Sequence, residues 1–422
     1  MRIVKAKPRY AYGKIEKIIS PSPRRITPRC PVASRCGGCV FQHCEYGYQL
    51  KIKKEIVIDA LTRIGKFSGP PVEDVIGAEN PFRWRNKAQF PVTEGGIGFY
   101  APRSHRVVPV EDCAVQHESH VGILAALRDF IERYKITAYD EETHAGLIRN
   151  IIIKTSFHSS ETMAVLVING SRCPNENALA EMMNGAGVST LIINSHTAKS
   201  NAVTGGAFRV AYGSGRIFEK IGGVSYGINA RSFFQVNPAQ TKILYDTALD
   251  FAELSGSETV LDAHAGAGGI ALYAASSAKF VYGTEIVGES VAEAKLNAEL
   301  NGIGNAEFIF GAAEDAAKEL LSREKFGAVF FDPPRKGCEK ALLDAVAEAR
   351  VPKIIYVSCD PATLARDLAL LSETYSLEKV RPVDMFPMTG KVECVCLLKL
   401  KTVWLPNEYN RFLRIRRRPV SI

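Results

Sequence analysis

Residues 259–275 read TVLDAHAGAGGIALYAA: a short apolar run ending in Asp262, a glycine-rich turn, then an apolar helical pattern. That order predicts strand, tight turn and helix, because glycines let the backbone turn sharply and approach a ligand closely. The helix start beyond Gly268 favours polar or anionic groups. The neighbouring stretches repeat the alternation. PAQTKILYDTALDFAEL (238–254) reads as a helix, KFVYGTEI (279–286) as a strand and VAEAKLNAELNGI (291–303) as a helix. Apolar strands follow in FGAVFFDPPRKG (326–337), KIIYVSCDP (353–361) and VECVCLLKL (392–400). Short buried strands alternating with helices predict a doubly wound α/β sheet.

The glycine turn alone is a weak signal. The dinucleotide pattern G-x-G-x-x-G is not matched, since Gly266, Gly268 and Gly269 run into Ile-Ala. Glu285 ends the next strand about 20 residues on, where a carboxylate suits ribose hydroxyls. A glycine turn with an acid at that offset fits an adenosine-containing cofactor and leaves S-adenosylmethionine (SAM) and NAD both open. An apolar strand then delivers Asp332 to a rigid Pro-Pro turn, at the edge where doubly wound folds bind ligands. The next strand delivers Cys359 ahead of another Pro turn, as a nucleophile or as a small loop residue. Glu393 stands just ahead of a buried apolar run, where a lone acid is commonly solvated.

Together these residues make one reaction available. Uracil C5 is too weak a carbon nucleophile to attack a methyl sulfonium directly. A thiolate adding to C6 turns C5 into an enolate carbon that accepts the methyl group. A base then removes the C5 proton so that the thiol can leave. The scheme needs one Cys, one carboxylate and SAM in one crevice.

The chain has 422 residues, 46% apolar and 23% charged, ordinary values for packed globular domains. No stretch approaches the ~18 consecutive apolar residues of a membrane helix. MRIVKAKPRY lacks the apolar core of a signal peptide, so a cytoplasmic protein is expected. The net charge of +8 is concentrated at the ends: nine Lys/Arg against one Glu in residues 1–30, and seven against one in residues 399–422. Basic ends on a mildly acidic body suit phosphate contacts with a nucleic acid, or are simply solvated tails.

ISPSPRRITPRCP (19–31) is too Pro-rich for regular structure, and YGYQLKIKKEIVIDALTRIG (46–65) predicts a helix with its Lys residues facing away from the apolar stripe. Residues 80–235 look strand-rich: IIIKTSF and MAVLVIN form a hairpin pattern, and helices are expected near 118–134 and 175–186. Of ten cysteines, Cys30, Cys36 and Cys39 form C-x5-C-x2-C with Cys44 close behind, a spacing open to zinc as well as to other metals. Cys173, Cys338, Cys394 and Cys396 read as small buried hydrophobes.

The motifs PSPRR, PRCP, CGGCVFQH, EDCAVQ, FFQVN, DPPRKG, YVSCDP and DMFPMTGKVE, spread over about residues 10–400, resemble the RNA uracil-5 methyltransferase family, in particular its iron–sulfur branch acting on 23S rRNA. The resemblance implies a C-terminal Rossmann-like SAM-dependent methyltransferase domain at 236–400. It also implies a central β-rich (α+β) domain at 25–235, a basic TRAM-like remnant at 1–24 and a basic tail at 401–422. It makes Cys359 the nucleophile and Glu393 the general base. It assigns SAM contacts to Gln235, Asp262, His264, Gly266, Gly268, Glu285 and Asp332. It places a [4Fe-4S] cluster on Cys30, Cys36, Cys39 and Cys113. The implied partner is RNA, with no membrane and no obligate protein partner.

The chain departs from the family pattern at several points. His264 replaces an aromatic, Ala312 stands where a polar residue meets the adenine, and Met388 and Lys391 alter the loop before the base. Lys391, two residues from Glu393, is expected to lower its pKa. Phe99, Phe233, Phe234 and Phe386 are candidates to stack on an extruded base, with one Phe of FFQVN in the core and one near the site. Three rivals share part of the pattern. An RNA cytosine-5 methyltransferase would carry a second Cys where this chain has Arg335. A tRNA uracil-5 methyltransferase shares the Cys–Glu pair and typically lacks the cysteine cluster. A catalytically silent iron–sulfur RNA-binding protein would have no use for that pair.

Overall fold

A computed structural model describes residues 1–402, and the basic tail expected over 401–422 lies outside the described residues from position 403 on. The chain opens with a small antiparallel hairpin, β1 (Arg2–Ala6) and β2 (Ala11–Lys14), exposed along its whole length. The Pro-rich stretch that follows has no helix or strand. Helix α1 (Tyr46–Arg63) buries Gln49, Lys53, Val57 and Leu61, one residue per turn along a single stripe. Its Lys residues therefore do not all face outward: Lys53 lies in the buried stripe, where a carboxylate receives it.

The first large sheet contains β3 (Lys87–Thr93), β4 (Gly96–Tyr100), β5 (Val107–Pro109), β6 (Ile148–Thr155), β7 (Thr162–Ile168), β8 (Thr190–Ser195) and β9 (Ala207–Tyr212), in the order β5-β4-β3-β6-β7-β8-β9. All neighbours are antiparallel except β7 and β8. Helices α2 (His120–Arg133) and α3 (Glu176–Gly185) cover one face. Strand β7 is buried on both sides, which explains its unbroken apolar run. Ala164, Leu166 and Ile168 meet the helices, whereas Met163, Val165 and Val167 meet Ile217 and Ile228 of the next hairpin.

That hairpin, β10 (Arg216–Ile221) and β11 (Val224–Asn229), spans both halves of the molecule. Its Ile217 and Ile228 pack on the first sheet, while Ile221, Val224 and Tyr226 join the core of the second. The second sheet follows helix α4 (Pro238–Ala252), whose N-cap Asn237 accepts the Gln240 N–H and whose first residue is Pro238. Its elements are β12 (Thr259–Asp262), α5 (Gly269–Ala274), β13 (Phe280–Glu285), α6 (Gly288–Leu300), β14 (Ala306–Phe310), α7 (Ala313–Arg323), β15 (Ala328–Phe331), α8 (Lys340–Glu348), β16 (Lys353–Ser358), α9 (Pro361–Leu371), β17 (Tyr375–Val383) and β18 (Glu393–Leu400).

The strand order is β14-β13-β12-β15-β16-β18-β17, parallel except that β18 runs antiparallel to both neighbours. Alternate residues face opposite cores. Val260, Phe330, Ile355 and Val357 point one way, and Leu261, Phe331, Ile354 and Tyr356 the other. This is the expected doubly wound sheet, with helices on both faces. Helix α1 packs its Val57 and Leu61 into one of these cores, and Val72 and Ile76 bridge to Val380 and Val383 of β17, so residues 46–76 lie against the second sheet. Among the described residues, no helix is long and apolar enough to cross a membrane.

Candidate active site

The order of strands in the second sheet collects the candidate residues on one edge. The chain winds one way from β12 through β13 to β14 and the other way through β15 and β16, so the strand order reverses between β12 and β15. Ligands bind outside the carboxyl ends of strands at such a reversal. Read across the edge, Glu285 ends β13, Asp262 ends β12, Asp332 follows β15 and Cys359 follows β16. Strand β18 runs the opposite way, so its first residue, Glu393, arrives at the same edge. Ser358 pairs with Cys394 across the ladder, which sets Cys359 and Glu393 at neighbouring positions.

The glycine turn is built as its sequence demands. Gly266 and Gly268 have φ of 55° and 90°, the left-handed region that glycine enters without cost. A Cβ on Gly268 would sit 2.8 Å from the Leu272 side chain. Glu285 accepts the Gly266 N–H at 3.1 Å and the Val287 N–H at 2.7 Å, so one carboxylate ties the turn to the loop after β13. Asp262 accepts the His264 N–H at 3.2 Å.

Burial governs the ionisable groups. It pushes Asp332 up to about 7. It does the same to Asp262, also to about 7, with the Asp332 charge adding to the effect. Glu393 is raised to about 8 by burial and then by Asp332, against the pull of Arg335. Burial, then Glu393 and Asp332, raise the Cys359 thiol to about 11, and Arg335 again opposes the shift. His264 is lowered to about 4 by burial, and its Nδ1 has no partner. Asp262, Asp332, Glu393 and the Cys359 thiol crowd an edge where Arg335 is the cation that opposes the upward shifts of Glu393 and Cys359, so the edge favours a bound positive charge.

A second cluster lies beside this crevice. Cys30, Cys36, Cys39 and Cys113 line one cavity of about 510 Å³, with Trp84, Arg85 and, on the side towards the crevice loops, Phe233 and Thr389. Cys44 lies elsewhere; its backbone pairs with Arg25 and its thiol points to the Glu45 carbonyl at 3.7 Å. The indole N–H of Trp84 and Oε1 of Gln116, both buried in the cavity wall, have no partner among the described residues. Among the described residues, no group of three or more His, Cys, Asp or Glu is arranged to hold a single metal ion.

The family described as tRNA (Uracil-5-)-methyltransferase matches residues 220–401. A Clostridium tetani protein named an uncharacterized RNA methyltransferase is 44% identical over 406 residues, covering 94% of this chain and 88% of that protein. Another so named, from Halalkalibacterium halodurans, is 42% identical over 408 residues, covering 95% and 89%. The chain belongs to the RNA uracil-5-methyltransferase family. The solved Pyrococcus abyssi tRNA (uracil-54, C5)-methyltransferase, in complex with S-adenosyl-L-homocysteine, has the same fold at a TM-score of 0.79 and 26% identity, covering 94% of this chain and 91% of that one.

In this uracil-5-methyltransferase family member, the remaining candidates fall at different places. Gln235 is half-buried on the segment between β11 and α4. Phe234 packs on Tyr226 with ring centroids 5.5 Å apart, while Phe233 is 72% exposed. Phe99 stacks on the core residue Phe90 and Phe386 meets Trp84 edge-on. The expected effect of Lys391 is not found. That side chain is exposed, Arg335 is the cation acting on Glu393, and burial outweighs it, so the base is raised rather than lowered.

Sequence patterns alone do not single out the residues that brace the loop leading to Glu393. Lys53 donates to Asp384 at 2.5 Å and to the Phe386 carbonyl at 3.1 Å, with both charged side chains fully buried. Tyr46 donates to the same carboxylate at 2.9 Å. Phe41, within the cysteine motif, donates its N–H to the Met388 carbonyl at 2.9 Å. Met388 is held there in a left-handed conformation, φ 69°, unusual for a bulky residue. The one available signal is the helical stripe that runs from Leu61 back through Val57 to Lys53.

Proposed function

We propose that this protein transfers a methyl group from SAM to C5 of a uridine in 23S rRNA. The placement of Cys359 next to Glu393 on adjoining strands, at the ligand-binding edge of the sheet, carries the reading. The Cys359 thiolate adds to C6, and the electron pair moves to C5. Bound SAM supplies an electrophilic methyl on a positively charged sulfur, and C5 takes that methyl. The Glu393 carboxylate removes the C5 proton; the C5–H electrons re-form the C5–C6 double bond and the C6–S electrons return to Cys359. Cys359 returns as a thiolate, and Glu393, left carrying the C5 proton, passes it to solvent before the next turnover.

The acidic edge suits a cationic donor. A sulfonium among Asp262, Asp332 and Glu393 favours their ionised forms, and Arg335 favours the thiolate. Gly266 and Gly268 shape the turn for SAM, and Asp262, His264, Glu285, Asp332 and Gln235 surround it. The target base leaves its stack to reach Cys359, at a cost of a few kcal/mol.

The four cysteines fit a [4Fe-4S] cluster. Thiolates are the ligands of such clusters, and these four line one cavity. The unpartnered Trp84 N–H in the wall suits a sulfide acceptor. The cluster's task in this reading is to hold the RNA-facing segment 30–44 in shape, with 236–400 forming the catalytic domain, the first sheet within 25–235 the RNA domain, residues 46–76 packed on the catalytic sheet, and the basic ends adding phosphate contacts.

The names of the matching family and of the Pyrococcus abyssi enzyme favour a second reading, tRNA as substrate. The cysteine set, a mark of the rRNA branch in the resemblance above, favours the first. Anaerobically purified protein, labelled SAM and total RNA from a strain lacking uracil-5 methylation separate the two. Label in large-subunit rRNA is expected. Label confined to tRNA overturns the rRNA assignment, and no label overturns the activity.

A further inference from the structure

The segment Ala230–Asn237 has no helix or strand of its own, yet it carries Phe233 and Gln235 between the two sheets. Backbone carbonyls in such a segment need partners from elsewhere. Two residues of the first sheet supply them. Lys154 on β6 donates its ammonium to the carbonyls of Asn229 at 2.7 Å, Ala230 at 3.1 Å and Ser232 at 2.9 Å. Asn86, just ahead of β3, donates Nδ2–H to the Gln235 carbonyl at 3.1 Å and its backbone N–H to the Val236 carbonyl at 2.9 Å.

Both residues are 5% exposed, and they meet at one corner of the sheet, where Thr155 donates its N–H to the Asn86 carbonyl at 2.8 Å. A charged ammonium has three donors, and here they meet the last carbonyl of β11 and two of the segment, while burial lowers the Lys154 pKa to about 7. Among the described residues no carboxylate forms an ion pair with Lys154, and the Glu293 charge acts on it without direct contact. The ends of the segment are fixed separately: the Asn229 side chain donates to Glu293 on α6 at 2.8 Å, and Asn237 caps α4. Phe233 stands out into solvent between the clamped carbonyls, placed by polar ties to its neighbours.

We propose that Lys154 and Asn86 are positioning residues for methyl transfer, setting through the backbone the place of Gln235 and of Phe233, which lines the cysteine cavity. This rests on the functional reading above for the identity of the ligand. A misplacement of about 1 Å at such a site can cost on the order of a hundredfold in rate.

The test is titration of S-adenosyl-L-homocysteine into wild type, Lys154→Met and Asn86→Ala by calorimetry, at a temperature where circular dichroism shows each protein folded. Binding about tenfold weaker in both variants is expected, with kcat/KM for RNA falling further than that affinity. The paired variant should lose less than the product of the single losses, because both residues hold one segment. Folded variants with wild-type affinity and wild-type kcat/KM overturn the proposal. Should Lys154→Met fail to fold, Asn86→Ala decides the matter by the same two measurements. Wild type that binds the homocysteine product but methylates no uridine defeats the functional reading and leaves the positioning role to be judged on affinity alone. Wild type that binds none of it defeats both.

Discussion

Ser358 and Cys394 are partners across the antiparallel ladder of β16 and β18, and that pairing stations the thiol of Cys359 beside the carboxyl of Glu393. In the proposed reaction the two side chains act at different steps. Glu393→Gln should still allow addition and methyl transfer but stall proton removal, so a denaturant-resistant protein–RNA adduct bearing the labelled methyl should accumulate. Turnover should fall by about 10²–10⁴, the range for a lost general base. Cys359→Ala should give no adduct and no product while still binding RNA in a gel-shift assay. Normal turnover in Glu393→Gln would remove this residue from the mechanism.

As the proposed base, Glu393 must be ionised to act, and burial raises it to about 8. The profile of kcat/KM, which reports the free enzyme, should therefore climb with pH through about 8. The kcat profile should climb at lower pH, because the bound sulfonium favours the carboxylate. A kcat/KM profile flat between about pH 6 and 9 would contradict this.

The same shifts predict a stability trend. Asp332 is raised to about 7 in the folded, ligand-free protein, from about 4 when unfolded. Between those values the unfolded chain has released a proton that the folded one retains, so this group's stabilising contribution is complete below about pH 4 and lost as pH rises through about 7. Asp332→Asn should therefore melt relative to wild type with a difference that shifts in the variant's favour between about pH 4 and 7. Saturating SAM should shrink that difference. A pH-independent gap in calorimetry would count against the shift.

The cysteines divide cleanly. Cys113 shares the cavity of Cys30, Cys36 and Cys39, whereas Cys44 is buried apart from it. Anaerobically prepared Cys113→Ser should lose the visible absorbance and iron of a cluster, and Cys44→Ser should keep them. The reverse pattern would reassign the fourth ligand.

Lys53 and Asp384 are both fully buried. Lys53→Met leaves the Asp384 carboxylate without its counter-charge and should cost about 3–5 kcal/mol in chemical denaturation. Adding Asp384→Asn should recover part of the loss, because the stranded charge is then gone. A loss no larger than that of an exposed ion pair, about 0–1 kcal/mol, would show that the pair does not brace the loop.

Much of the catalytic half is legible in the sequence because its signals are local. Each strand is an apolar run closed by Asp-Pro-Pro, Cys-Asp-Pro or a glycine turn, and these mark the crevice ends of β12, β15 and β16. The reversal of β18 is not local. Whether Glu393 reaches the crevice depends on the direction in which that strand inserts between β16 and β17, and a lone acid before an apolar run gives no direction. Lys53 and Lys154 escape notice for a related reason. A lysine in an amphipathic pattern reads as solvent-facing unless its buried partner is known, and the partners here, Asp384 and the Asn229–Ser232 carbonyls, are far away in sequence. Lys391 misleads in the opposite sense: it is near Glu393 in sequence but exposed.

The insertion of β18 between β16 and β17 also bears on how the enzyme comes into being. By the time β16 and the glycine turn have left the ribosome, the growing chain already owns Cys359, the proposed nucleophile, and the walls proposed for the methyl donor. Its proton acceptor is still to be made, on the last strand described, and reaches Cys359 only when β17 and β18 close the sheet. A chain truncated before that strand would have a thiol able to attack and no carboxylate to release it, so synthesis order itself delays turnover until the sheet is complete.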